Sequence, residues 1–139
     1  MYIFDTDHLS VLERGGANAL RLRQRLKNVS SIQVAASIIS YEEQMRGWLS
    51  YIGKANTVEQ QIEAYKQLKQ QLTNYCAIPI IEFDELAAQE FQRLRKMYRR
   101  LGAMDLKIAS IALVNKAILL TRNSADFGQI AGLFIEDWT

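Results

Sequence analysis

Four short apolar runs punctuate the chain: Tyr2 to Phe4, Ile32 to Ala36, Ile78 to Phe83 and Ile118 to Thr121. Runs of that length read as buried strands, and the stretches between them carry helical periodicity. Strands separated by helices pair through crossovers, so this pattern predicts an α/β fold with a mostly parallel sheet. Pro79 has no N–H to give to a ladder, which places the third run at a sheet edge or Pro79 near its first residue. Helices are expected over Asp7 to Arg14, Ala17 to Lys27, Ser37 to Ile52, Thr57 to Tyr75, Asp84 to Leu101 and Asp105 to Lys116. Gly15-Gly16 and Gly102 are the expected helix stops. From Thr57 onward the helix is glutamine-rich, with Ile62, Tyr65, Leu68 and Leu72 as one narrow apolar stripe. It could pair with Ser37 to Ile52 as a helical hairpin, with Trp48 and Tyr51 either packed against it or left to meet a partner's helix.

Composition narrows the chemistry. The 139 residues fit one domain, 1–139, with 49% hydrophobic and 23% charged residues, which is ordinary globular usage. Cys76 and His8 are the only cysteine and histidine. An intramolecular disulfide, a cysteine zinc site and a serine–histidine or cysteine–histidine pair other than through His8 are therefore excluded. Any metal must be held by oxygen ligands, which favours Mg²⁺ or Mn²⁺. The net charge of +2 is too mild to require a nucleic-acid partner. No stretch reaches the roughly 18 apolar residues of a membrane span, and no charged-then-apolar leader is present. A reducing cytoplasm without membrane attachment is the expected setting.

Acidic residues recur where strands end. Asp5 follows the first run directly and is either a ligand at a strand's carboxyl end or a helix cap; Asp7, with Leu9, Val11 and Leu12 behind it, reads as the N-cap. His8 reads as a packing or surface residue. Asp105 heads a face made of Ile108, Ala109, Ala112 and Leu113, an expensive place for a carboxylate unless it caps, pairs or binds a cation. In Glu42-Glu43 the periodicity sets Glu43 about 180° from the main apolar stripe of Ile38, Tyr41, Met45, Trp48, Leu49 and Ile52, and Glu42 about 80° from it; Ile39 sits beside Glu43, which allows a second, lesser buried face. The last run ends in Thr121 and is followed by Arg122, Asn123 and Asp126, an Asx-turn or a further strand-end cluster. Carboxylates brought together repel each other unless a divalent cation neutralises them, so jointly these positions imply metal-assisted chemistry.

The stretches FDTDHLS, SIISYEEQMRGW, AMDLKIASIAL, LLTRNSADF and GLFIEDW, in this order and spacing, are similar to those of the PIN-domain ribonucleases, specifically the VapC-type toxins of toxin–antitoxin pairs. Asp5 and Thr6 match the family's Asp-Thr-Asn, and Asp7 replaces its asparagine. The family's second acid lies four residues before a glycine, which selects Glu43 by Gly47, against the helical geometry. The third acid matches Asp105, and the fourth position falls on Asn123, with Asp126 three residues on. The resemblance implies a three-layer α/β/α sandwich, Mg²⁺- or Mn²⁺-dependent endonucleolytic cleavage of RNA by a metal-activated water, inhibition by an antitoxin protein, and homodimers. Asp5, Asp105 and Glu43 would serve the metal, and Asn123 and Asp126 would complete the catalytic set.

Two basic tracts could hold RNA: Arg93, Arg95, Lys96, Arg99 and Arg100, and Arg21, Arg23, Arg25 and Lys27. Arg46 and Arg122 adjoin the acids and would meet phosphate or form ion pairs. Two other readings compete. Asp5-Thr6-Asp7 also resembles the DxD motif of haloacid-dehalogenase-type phosphatases, with a nucleophilic Asp and a general acid. A non-catalytic RNA-binding or interaction module would not need acids that repel phosphate.

Overall fold

A computed structural model describes residues 1–139, the side chain of Ile32 excepted. Five strands, β1 (Tyr2–Phe4), β2 (Val34–Ser37), β3 (Ile80–Ile81), β4 (Ile118–Leu120) and β5 (Phe134–Glu136), form one sheet in the order β3-β2-β1-β4-β5, parallel at every pairing. Among the described residues seven helices surround it: α1 (Thr6–Arg14), α2 (Ala17–Leu26), α3 (Ile38–Lys54), α4 (Val58–Cys76), α5 (Glu85–Met97), α6 (Ala103–Val114) and α7 (Ser124–Phe127). The parallel α/β architecture is the one expected from the alternating runs.

Successive side chains of a strand face opposite ways, and here each face has its own core. Ile3 and Leu119 pack with Ile39 of α3, Ala87 and Leu94 of α5, Phe127 of α7 and most of α6. Phe4 and Leu120, in register with one another, pack on the other face with Leu9, Val11, Ala19, Leu22, Tyr75 and Trp138. These two layers of helices around one sheet make the α/β/α sandwich.

Several boundaries differ from expectation. The 3-10 turn Ser31–Gln33 takes up the start of the second run, so β2 begins at Val34; the side chain of Ile32 lies outside the described set. Only Ile80 and Ile81 of the third run pair, on the sheet edge and just after Pro79, as its missing N–H requires. β5 is not among the expected strands, although Leu133 to Ile135 is an apolar run as long as Tyr2 to Phe4; it is an edge strand with Phe134 exposed. Helix α5 stops at Met97, and Gly102 does not end it but opens α6 as its N-cap. Gly15 and Gly16 do form the expected break, with φ of 76° and 88° between α1 and α2.

The α3–α4 hairpin forms, joined by Ala55 to Thr57 and locked by a Tyr41–Tyr75 edge contact and a Tyr75 hydroxyl donating to Gln44. Its buried residues are not the expected ones. In α4 they are Ala64, Gln71 and Tyr75, whereas Ile62, Tyr65 and Leu72 of the predicted stripe are exposed. In α3 they are Ile39 and Ser40, on the lesser face, while Ile38 and Leu49 of the main stripe are exposed. Trp48 and Tyr51 form an edge contact with each other and line a cleft with Ser10, Glu13 and Gln67, so they do not simply pack on α4. No helix among the described residues is long and apolar enough to cross a membrane.

Candidate active site

In a parallel sheet all strands present their carboxyl ends at one rim, and a crevice opens where the connections reverse direction. Here the chain leaves β1 toward β2 and β3, then returns across to β4, so the reversal falls at β1 and β4. Asp5 and Thr121 are the next residues of these two strands. The Asp5 N–H donates to Leu120 O at 2.8 Å, and Thr121 Oγ1 donates to Asp5 Oδ2 at 2.8 Å.

Asp5 is the N-cap of α1: its backbone is extended and Oδ1 accepts from Thr6 N at 2.8 Å. This corrects the assignment of the cap to Asp7. The strand passes into the helix with no intervening loop, so the residue after Phe4 is the only one free to cap. Asp7 lies in the first helical turn and reaches across to the loop after β4, where Oδ2 accepts from Arg122 N at 2.9 Å and lies 3.3 Å from Thr121 Oγ1. Its Oδ1 is 2.9 Å from His8 Nδ1. The Trp138 N–H can only donate, so His8 Nε2, 3.1 Å away, is the acceptor and Nδ1 carries the hydrogen toward Asp7. His8 is fully buried and fastens the C-terminal segment to α1, a packing role.

Glu43 is half-buried and accepts from Thr6 Oγ1 at 3.3 Å, which directs it at the β1–α1 junction. Helical periodicity alone had placed it toward water; the lesser face of α3 is the one that meets the sheet, so Glu43 turns inward with Ile39 and Ser40. Glu42 instead pairs with Arg46 on the outside of the helix. Asp105 is the third residue of α6 and no cap. Because α6 runs back along the sheet into β4, its first turn lies at the same rim. The residues behind Asp105 are buried all round, Leu106, Ser110 and Ile111 as well as Ile108, Ala109 and Ala112, since α6 is wedged between α5 and the sheet. Asn123 and Asp126 form the Asx-turn: Asn123 Oδ1 accepts from Asp126 N at 3.2 Å and Nδ2 donates to Asp126 Oδ2 at 3.1 Å.

The acids perturb one another. Burial, then Asp7 and Asp105, push the Asp5 carboxyl up to about 7, against the opposing pull of its bonds to Thr121 and Thr6. Burial raises Asp105, with Asp126 and Asp7 adding to it, and burial raises Glu43, with Asp105 and Glu42 adding to it. None of these groups has a cation in a described ion pair. Among the described residues no three carboxylate, histidine or cysteine side chains lie close enough together to hold a metal ion between them. The donor set nonetheless fits Mg²⁺, which keeps several waters and is usually held by one or two carboxylates. Thr6 and Thr121, each bonded to a carboxylate, were missed as site residues. The signal available is, for Thr6, its place between Asp5 and Asp7 and, for Thr121, its place directly after Ile118 to Leu120.

Comparison with known proteins agrees with this fold. A toxin–antitoxin complex from Klebsiella pneumoniae is similar, with 26% identity, a TM-score of 0.72 and coverage of 100% of this chain and 98% of that one. DNA-bound VapBC from Salmonella typhimurium has a TM-score of 0.76 at 20% identity, covering 99% and 98%. VapBC2 from Rickettsia felis, bound to a DNA fragment from its promoter, has a TM-score of 0.73 at 24% identity, covering 99% and 98%. No curated protein matches the sequence. The PIN domain family model matches residues 2–133, which takes in Asp5, Glu43, Asp105, Asn123 and Asp126 on the parallel sheet described above, and the chain belongs to the PIN domain family.

Proposed function

We propose that this protein is a Mg²⁺- or Mn²⁺-dependent endoribonuclease and the toxin of a type II toxin–antitoxin pair, working in the cytoplasm. The observation that carries the reading is the set of half-buried and buried acids, Asp5, Glu43 and Asp105, raised in pKa by burial and by neighbouring carboxylates at the switch point of the sheet. Such a set is costly to a protein unless it binds a cation. Asp5 and Asp105 would be the primary metal-holding residues, and Glu43 would orient water on the ion. Bound there, the ion would lower the pKa of a water and stabilise the departing oxygen of a phosphodiester.

The chain's own residues do the rest. Thr121 holds one oxygen of Asp5 and Thr6 N the other, so the carboxylate keeps one orientation. Thr6 Oγ1 orients Glu43. Asn123 and Asp126 restrain each other and set the polar far wall of the site. The phosphatase reading requires Asp7 to donate a proton as general acid; Asp7 is instead an acceptor for Arg122 N and His8. The solved neighbours that carry an antitoxin support an antitoxin partner for this chain, and a homodimer is proposed with it.

The test is cleavage of total RNA with and without Mg²⁺, with the product ends mapped. Asp5→Ala and Asp105→Ala should abolish Mg²⁺-dependent cleavage in proteins whose circular dichroism is that of the wild type. Undiminished cleavage by either variant would sink the mechanism.

A further inference from the structure

The metal-binding acids repel phosphate, so another surface must supply the attraction for RNA. The sequence offers two basic tracts, and the structure separates them. On α2, Arg21 bonds to the Thr139 carbonyl and Asn18, Arg23 reaches Leu12 O at 3.3 Å, and Arg25 lies 3.7 Å from Glu136 and 4.9 Å from the Trp138 ring centre. That tract fastens the C-terminal segment. On α5, Arg93 is paired with Glu90. Arg95, Lys96, Arg99 and Arg100 are exposed, have no described ion pair, and belong to a stretch without an acid between Glu90 and Asp105.

These four line three adjoining clefts that share Arg99. One of ≈ 520 Å³ has Gln92, Arg95, Lys96 and Arg99; one of ≈ 310 Å³ runs past Tyr98 to Ala103 of α6; and one of ≈ 430 Å³ reaches Arg100 and Gln129. α6 starts at the rim that carries Asp5 and Thr121, with Asp105 in its first turn, and the clefts extend from Ala103 beside that turn to Gln129 on the connection into β5. The Tyr98 ring lines two of the clefts and is anchored through its hydroxyl, which accepts from Ala131 N at 2.9 Å. Cations alternating with a fixed aromatic ring suit a single strand, whose phosphates meet guanidinium groups while its splayed bases stack.

We propose that Arg95, Lys96, Arg99 and Arg100, with Tyr98 between them, form the track that carries a single-stranded RNA across the α5–α6 rim to the acids. This rests on the ribonuclease reading, and extends it by assigning the substrate path to one of two basic tracts.

The experiment measures binding of a fluorescein-labelled single-stranded RNA of about 15 mixed nucleotides, by anisotropy across a KCl series, to full-length protein carrying Asp5→Ala to stop cleavage. Adding R95E and R99E should weaken binding at least about tenfold and lower the log–log salt slope by about 1.4, two phosphates at about 0.7 each. Adding K66E and K69E, the same change of charge on exposed α4, should leave slope and affinity as they were. R95Q with R99Q should lose the same slope without charge reversal, which covers the case in which the glutamates disturb folding. An unchanged slope in the Arg95 and Arg99 variants, an equal loss with K66E and K69E, or a loss seen with polyglutamate and not with RNA overturns the proposal. The two readings fail separately. RNA cleaved in Mg²⁺ with a slope indifferent to Arg95 and Arg99 removes the track alone; the expected slope loss with no RNA ever cleaved removes the nuclease alone.

Discussion

Asp5 caps a helix, accepts from Thr121 and is raised in pKa all the same, because two hydrogen bonds do not offset burial beside Asp7 and Asp105. The sign of the consequence follows from linkage. An unfolded aspartate titrates near 3.8 and the folded Asp5 near about 7, so between these values the folded chain holds the extra proton and stability falls as pH rises. Glu43 and Asp105 are raised too and add in the same direction. Without metal, the melting temperature should therefore drop between roughly pH 4 and pH 7, and Asp5→Asn should flatten that drop. Thermal melts in a chelator across the range would check it, and a wild-type profile no steeper than that of the variant would overturn it. The position of Asp5 was legible as the first polar residue after a strand. Its capping role was not, because a run of Asp-Thr-Asp gives periodicity no way to choose where the helix starts, and the choice is made by how directly β1 enters α1.

At the scale of the element, α7 shows how little holds a site loop. A four-residue helix has no stability of its own. It is fixed by the Asn123 cap, by fully buried Phe127, and by the Gly128 N–H donating to Ser124 O at 3.0 Å. A Cβ added to Gly128 would lie 2.4 Å from that carbonyl oxygen, so the backbone must shift. Gly128→Ala should cost about 1–3 kcal/mol, as overpacking does, and displace Asn123 and Asp126 together. Urea unfolding reads the first effect and the Mg²⁺-dependent cleavage rate the second; a variant unchanged in both would show that the turn absorbs the methyl group. Elements with dense apolar runs, β1, β4 and α6, could be read from residue order. β5 is marked only by the three-residue run Leu133 to Ile135, on an edge where Phe134 is exposed, and the periodicity of α3 leaves two candidate inward faces. Two neighbours compete for that helix, and the stripe of larger residues faces the open hairpin while Ile39, Ser40 and Glu43 meet the sheet.

For the whole molecule, the two cores lie on opposite faces of the sheet, and the C-terminal segment is stitched to one of them. Trp138 is buried, meets the Tyr2 ring of β1 in a tilted contact with centroids 4.7 Å apart, lies under Arg25 of α2 and donates through Nε1 to Glu136 of β5 at 2.6 Å. Its backbone N–H meets His8, which in turn holds Asp7 and hence the loop after β4. The side chain and the backbone of one residue thus act on different things. Trp138→Ala removes the ring from three elements and should cost about 3–5 kcal/mol of unfolding free energy, the range for a buried aromatic. The Trp138 N–H, and with it the path to Asp7, survives that substitution. Metal-dependent cleavage measured well below the melting temperature should therefore stay close to wild type while the urea midpoint falls. Cleavage lost in step with stability would mean that β5 and the loop after β4 cannot move independently, and that the ring, and not the His8 bond, sets the geometry around Asp5.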